Sequence, residues 1–105
     1  MNVTVTARNF DLTDALREFS QQKLAKLERF DPYVIDGHLV LEKDKGMSII
    51  ELTMMVKHGA VNSVVKNPDI YLGISDVIKK IERQLEKYEA RFRERKRIAR
   101  KTKRK

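Results

Sequence analysis

A single apolar stripe in the second half of the chain sets the strongest limit on the fold. Its members are spaced four, three, four, three and four residues apart: Ile74, Ile78, Ile81, Leu85, Tyr88 and Phe92. This spacing predicts an amphipathic α-helix of about five turns or more. Asp69, after Asn67-Pro68, is placed to cap its first turn. Such a helix needs a second layer on which to bury its apolar face.

The rest of the chain supplies four strands and one more helix. Val3 and Val5 alternate with threonines and predict a first strand. Asp11 or Thr13 can then cap a helix that runs to about Phe30, before Asp31-Pro32. Three alternating runs follow, with short glycine-containing connections between them. Their expected core faces are Ile35, Gly37, Leu39 and Leu41; then Ile50, Leu52, Met54 and Val56; then Val61, Ser63 and Val65.

The predicted order of elements is therefore β-α-β-β-β-α. One sheet with a single apolar face needs a cover, and two amphipathic helices on that face provide it. We expect an α/β fold of the α+β type, a two-layer sandwich in which a parallel crossover joins the first two strands. At 105 residues the chain has room for one such domain.

Positive charge is concentrated at the C-terminal end. Residues 91–105 hold ten Lys/Arg and one Glu, whereas residues 1–90 carry a net charge of about −1. The sequence predicts a folded domain over residues 1–95 and a basic, disordered tail over residues 96–105. A cationic end of this kind attracts polyanions such as nucleic acid or an anionic membrane, although it can also serve only solubility.

A basic row also runs along the second predicted helix. Its members recur at every fourth position: Lys79, Arg83, Lys87, Arg91 and Arg95. On a helix they form one continuous ridge about 24 Å long, with Lys80 at its edge. Such a ridge can meet several successive phosphates, which favours nucleic-acid binding. The alternative is a solvated face in which the neighbouring Glu82, Glu86 and Glu94 pair with the basic side chains.

Two lysines of the first helix also stand out. Lys23 falls inside the apolar stripe of that helix and Lys26 lies near its edge. The lysines can extend their alkyl stems over the core with the ammonium groups in water, or they can present those groups to an anion. The two interpretations are compatible, and the pattern leaves both open.

Several function classes lack support in the residues. His38 and His58 lie on different elements with no metal-binding spacing, and there is no phosphate-loop, dinucleotide or nucleophile motif. The absence of cysteine removes thiolate zinc sites and disulfides. We therefore expect no enzyme, no cofactor, no metal, no small-molecule substrate and no membrane binding.

Two segments resemble the ribosome hibernation-promoting factors, also called ribosome-associated inhibitors, of the sigma-54 modulation family. The first segment covers residues 6–19 and begins Thr6-Ala7-Arg8-Asn9-Phe10-Asp11-Leu12-Thr13-Asp14. It continues in Lys23-Leu24-Ala25-Lys26-Leu27-Glu28. The second is Asp69-Ile70-Tyr71 with Ile74, Lys80, Arg83-Gln84-Leu85 and Lys87. The resemblance covers about residues 2–92 and implies a fold like that of double-stranded-RNA-binding domains.

The resemblance implies a cytoplasmic stress or stationary-phase factor that blocks translation. Such factors occupy the mRNA and tRNA channel of the small ribosomal subunit and contact 16S rRNA. By position, Lys23, Lys26, Lys80, Arg83 and Lys87 match rRNA-facing basic residues of the family, and Arg8 is a further candidate. Lys79, Arg91 and Arg95 join this set only from their spacing.

The chain resembles the short form of the family, without the second domain through which ribosomes pair, and we expect it to be a monomer off the ribosome. The alternatives are a general structured-RNA-binding module and a regulator that binds another protein, such as a sigma factor.

Overall fold

The alternating segments and the two apolar stripes form the predicted elements. A computed structural model describes the backbone of residues 1–103 and the side chains of residues 1–95. In chain order the elements are β1 (Val3–Arg8), α1 (Asp14–Leu24), a 3₁₀ helix (Ala25–Tyr33), β2 (Val34–Asp44), β3 (Met47–Val56), β4 (Gly59–Asn67) and α2 (Ile70–Lys103). The order β-α-β-β-β-α is confirmed, with the 3₁₀ helix as an addition.

The four strands form one sheet in the order β1-β2-β3-β4. β1 pairs with β2 in parallel, so that α1 and the 3₁₀ helix make the expected crossover. β2, β3 and β4 form an antiparallel meander. Lys45 and Gly46, both with positive φ, form the two-residue connection between β2 and β3, as in a type I′ turn.

The core lies between the sheet and the two helices. The central strands contribute fully buried Leu39, Leu41, Ile50, Leu52 and Met54, and α2 contributes Ile74, Val77, Ile81 and Leu85. The predicted stripe of α2 therefore covers the sheet. Gly73 allows the closest approach, because a Cβ atom there would lie 2.3 Å from the Cδ1 atom of the buried Ile50.

Side-chain caps fix the starts of both α-helices. Thr13, one of the two candidate caps, accepts a hydrogen bond from the backbone N–H of Leu16 at 3.1 Å. The Asp69 carboxylate accepts one from the N–H of Tyr71 at 2.9 Å, as predicted. These bonds satisfy N–H groups that have no partner within the first helical turn.

Ile35 departs from its predicted position on the core face of β2, where it is 63% exposed. The register between β2 and β3 shifts between Val34 and Asp36, which makes Ile35 the extra residue of a β-bulge. Val34 packs on the core in its place. The prediction for Gly37, Leu39 and Leu41 holds, since the regular alternation resumes after the bulge.

The helix predicted to reach Phe30 changes type at Ala25. Leu24, Leu27 and Phe30 are three residues apart and all buried. A 3₁₀ helix has three residues per turn and aligns such residues along one side. The helical chain then passes through Pro32 and ends at Tyr33, slightly later than predicted.

The backbone of α2 is helical to Lys103, well beyond the apolar stripe that predicted the helix. The apolar stripe marks only the part of a helix that packs on the core, whereas lysine and arginine are good helix formers without packing. The division into a domain over residues 1–95 and a basic tail over residues 96–105 stays a prediction. Residues 104–105 lie outside the described part of the chain.

Candidate nucleic-acid interface

The basic residues of α2 lie on its exposed side, opposite the sheet. Lys79, Lys80, Arg83, Lys87, Arg91 and Arg95 are all exposed. Each step of four residues turns by about 40° around the helix, so the row winds across the outer face. It begins beside α1, where Lys79 lies near Lys23, and ends beside the turn between β3 and β4, where Arg95 and His58 line the same groove.

Lys23 at the end of α1 and Lys26 in the following 3₁₀ helix extend this row. The pKa of Lys23 is lowered, first because the Lys26 ammonium donates a hydrogen bond to the neutral form of Lys23, and then by the charge of Lys26, by burial and by the charge of Lys79. The Lys23 Nζ atom also lies 5.4 Å from the centre of the Phe19 ring. Lys23 is thus half-buried along its stem while its ammonium group lies near two other cations, which agrees with the first interpretation. Its presentation to an anion stays a prediction.

We call the combined surface the basic track. Its eight members are Lys23, Lys26, Lys79, Lys80, Arg83, Lys87, Arg91 and Arg95. Among the side chains of residues 1–95, no carboxylate forms an ion pair with any of them. A surface of one charge without counter-charges attracts a polyanion.

The acidic residues beside the track pair with other arginines. Arg29, on the 3₁₀ helix, lies 2.8 Å from the Glu86 carboxylate and 3.8 Å from that of Glu82. Glu89 lies 3.7 Å from Arg93. The alternative was a mixed face on which acidic and basic side chains of α2 pair with each other. Glu82 and Glu86 do not fit it, because both carboxylates pair with Arg29 of the 3₁₀ helix.

Arg8 does not join the track. It is exposed at the end of β1, on the sheet face that carries no helix. Its register neighbours across the sheet are Glu42, Ile49 and Lys66. A role for Arg8 in RNA binding stays a prediction, and it would require a second contact surface.

The structure also brings together aromatic residues that sequence reasoning did not combine. The Tyr33 ring lies edge-on to Tyr88 and Phe92, with ring centres 5.8 and 5.3 Å apart. Tyr88 and Phe92 themselves are 5.9 Å apart. Their spacing of four residues was assigned to the core stripe, and only the fold brings Tyr33 to them.

The two histidines are far from any metal-binding arrangement. His38 is exposed on β2, and His58 lies in the turn between β3 and β4. Within the described residues, no three His, Asp or Glu side chains come together in a group that could hold a metal ion. Across the same residues, no helix combines the length and the apolarity that crossing a bilayer requires.

Comparison with known sequences assigns the chain to a family. The profile of the family described as "Sigma 54 modulation protein / S30EA ribosomal protein" matches residues 3–93. The ribosome hibernation promoting factor of Salmonella typhimurium is 31% identical over 94 residues, covering 90% of this chain and 99% of that protein. The ribosome-associated factor Y of Haemophilus influenzae is 32% identical over 87 residues, covering 83% of this chain and 81% of that protein.

Comparison with solved structures agrees with this assignment. The crystal structure of the Thermus thermophilus Protein Y N-terminal domain superposes with a TM-score of 0.77 at 26% identity, covering 84% of this chain and 99% of that one. The family consists of ribosome hibernation factors, which are binding proteins, so the expectation that the chain is not an enzyme is confirmed. The chain belongs to the sigma-54 modulation and S30EA ribosomal protein family.

Proposed function

We propose that this chain is a cytoplasmic hibernation factor that binds the small ribosomal subunit through the basic track. On the ribosome it contacts 16S rRNA and occupies the channel that mRNA and tRNA require. The names of its relatives, ribosome hibernation promoting factor and ribosome-associated factor Y, support this function.

The observation that carries the proposal is the basic track itself. Eight cations from α1, the 3₁₀ helix and α2 line one surface, and the described side chains offer them no acidic partner. Binding to phosphates would release counterions from the RNA and relieve the repulsion between Lys23, Lys26 and Lys79. Inhibition then needs no bond-making, because the bound domain fills space required by other ligands.

The packing of α2 favours RNA over a membrane as the polyanion. A helix that binds in the plane of a membrane inserts a free apolar face into the lipid. The apolar face of α2 is buried on the sheet through Ile74, Ile81 and Leu85, all fully buried. What α2 offers to a partner is its charged side.

Charge reversal on the track tests the proposal. Replacing Lys80, Arg83 and Lys87 by Glu should leave the fold intact, since all three are exposed, and should abolish co-sedimentation with 30S subunits at physiological salt. A matched control replaces Arg17, Lys45 and Lys66 by Glu, which changes the net charge equally at exposed positions away from the track. We expect the control to bind. Binding by the folded track variant would contradict the proposal.

Occupancy of the channel has its own measurement. The wild-type chain should compete with mRNA and initiator tRNA for 30S subunits and inhibit translation in vitro. Equal affinity for free A-form RNA duplexes, without competition, would instead indicate the general RNA-binding module. Failure to bind RNA with retention of a regulator protein would indicate the sigma-factor alternative.

A further inference from the structure

A groove opens at the end of the basic track, between α2 and the turn that joins β3 to β4. Its volume is about 370 Å³, within the ~300–1,000 Å³ typical of small-molecule sites. The turn contributes Lys57, His58 and Gly59 to one wall. Residues of α2 form the other wall: Gln84, Lys87, Tyr88, Arg91, Phe92 and Arg95.

The apolar part of the lining consists of Val56, Ala60 and Val61 from the strands and of two aromatic rings from α2, which are held in place. Tyr88 and Phe92 are partly exposed, and Tyr33 packs edge-on against both. The Tyr88 hydroxyl donates a hydrogen bond to the backbone carbonyl of Lys57, which ties the ring to the turn. Burial raises the pKa of Tyr88, against the effect of the nearby Arg95 charge, so the hydroxyl stays protonated and keeps donating.

The polar part of the lining is cationic. Lys57, Lys87, Arg91 and Arg95 surround the aromatic rings, and all four are exposed. Among the side chains of residues 1–95, none of these cations forms an ion pair with a carboxylate. The groove therefore combines flat apolar surfaces with several phosphate-binding groups within one small volume.

The turn that forms the outer wall is a two-residue hairpin connection, Lys57-His58, between β3 and β4. His58 has φ 69°, a left-handed conformation that is uncommon for a residue with a side chain. Lys57 and His58 of this turn line the groove, and the hydrogen bond from the Tyr88 hydroxyl ties the turn to α2.

We infer that this groove binds one unstacked nucleotide of a folded RNA, with its base against Tyr88 and Phe92 and its phosphates on Lys87 and Arg91. Bases that leave a helix commonly stack on aromatic side chains while cations follow the backbone. The identification of the RNA as ribosomal rests on the proposed function, whereas the nucleotide chemistry of the groove does not. Stacking tolerates any base, so we expect weak sequence preference.

Oligonucleotides with and without bases test the inference directly. Phe92→Trp places a fluorescent ring in the groove of the full chain, which has no other tryptophan. A single-stranded oligouridylate should quench this fluorescence, and an abasic oligomer with the same number of phosphates should quench it little. Equal quenching by the two oligomers would overturn the inference.

Substitution of the ring measures its contribution. Phe92→Leu should weaken oligouridylate binding about 5- to 150-fold and leave abasic binding unchanged, and Phe92→Tyr should restore it. Tyr71→Leu is the matched control, because Tyr71 is an exposed aromatic residue of α2 outside the groove. Equal losses for Tyr71→Leu and Phe92→Leu would overturn the inference, as would an unchanged affinity of a folded Phe92→Leu chain.

Two further experiments are needed. The first distinguishes a nucleotide within RNA from a free mononucleotide, and the second distinguishes failure of this inference from failure of the proposed function. A mononucleotide such as AMP should bind far more weakly than the oligomer, and equal affinity would overturn the assignment to RNA. On 30S subunits, Phe92→Leu should lose protection at one nucleotide while the rest of the footprint remains. If the wild-type chain did not bind 30S subunits at all, the proposed function would be wrong. Base-dependent quenching would still support nucleotide binding in the groove.

Discussion

Lys23 and Lys79 lie on different helices, and the charge of Lys79 contributes to lowering the pKa of Lys23. The larger contributions come from Lys26, next to Lys23 on the same exposed surface. The fold therefore holds three ammonium groups together at a cost to its own stability. That cost is recovered when an anion binds, which is the behaviour expected of a phosphate-binding surface.

Lys79→Gln should raise the pKa of Lys23 toward the ordinary value of 10.5. NMR titration of the Lys23 side chain measures this, and Lys66→Gln is the control because Lys66 lies on the opposite face of the sheet. In the wild type, stability should rise with pH between the lowered pKa of Lys23 and 10.5, because the unfolded chain binds more protons there. If the pKa of Lys23 were the same in Lys79→Gln as in the wild type, the two ammonium groups would be too far apart to interact.

Leu85→Ala should lower the free energy of unfolding by about 2–5 kcal/mol, because Leu85 is fully buried between α2 and the sheet. Leu72→Ala changes the same side chain on the same helix where it is 57% exposed, and should stay within about 0.5 kcal/mol. Urea unfolding compares the two. Equal effects would mean that the stripe of α2 does not cover the sheet.

Arg29→Gln should weaken ribosome binding although Arg29 itself is outside the track. Without its partner, the Glu82 and Glu86 carboxylates are free to pair with Lys79 and Arg83 one turn away. Stability should change by less than about 1 kcal/mol, as for exposed ion pairs. Adding Glu82→Gln and Glu86→Gln should restore 30S affinity, and a triple variant that remains weak would show a different role for Arg29.

Deleting residues 96–105 removes seven Lys/Arg and no acid. Each lost phosphate contact should lower the slope of log affinity against log salt by about 0.7–0.9. We expect weaker 30S binding with a flatter salt dependence, while the rRNA footprint at saturation stays in place because the track sets the position. A shifted footprint would assign positioning to the deleted segment.

Most of the fold follows from hydrophobic periodicity, and the departures have local causes. The stripe of α2 and the alternation in β3 placed Leu85 and Leu52 correctly, because burial alone determines those patterns. Ile35 was misplaced since a β-bulge inserts one residue without changing composition. The helical backbone beyond Arg95 was missed because packing, the signal used, ends before the helix does.

The candidate site was predictable only in part, for a related reason. Regular spacing within α2 marked Lys79 and Arg83 without any knowledge of the fold. The pairing of Arg29 with Glu86 spans 57 residues, and the ring contact of Tyr33 with Phe92 joins separate elements. No local pattern records such contacts, since the crossover and the 3₁₀ helix create them.

The side chain of Gln84 has a consequence for the behaviour of the free chain. Its amide donates to the carbonyl of Asn62 at 2.8 Å and accepts from the N–H of the same residue at 3.3 Å, as a neighbouring strand would. β4 is an edge strand of the sheet, and the unpaired backbone groups of an edge strand can pair with a strand from another molecule. By bonding both backbone groups of Asn62, Gln84 takes the place of one residue of that strand near the middle of the edge, which disfavours pairing of this edge with a strand of a second copy.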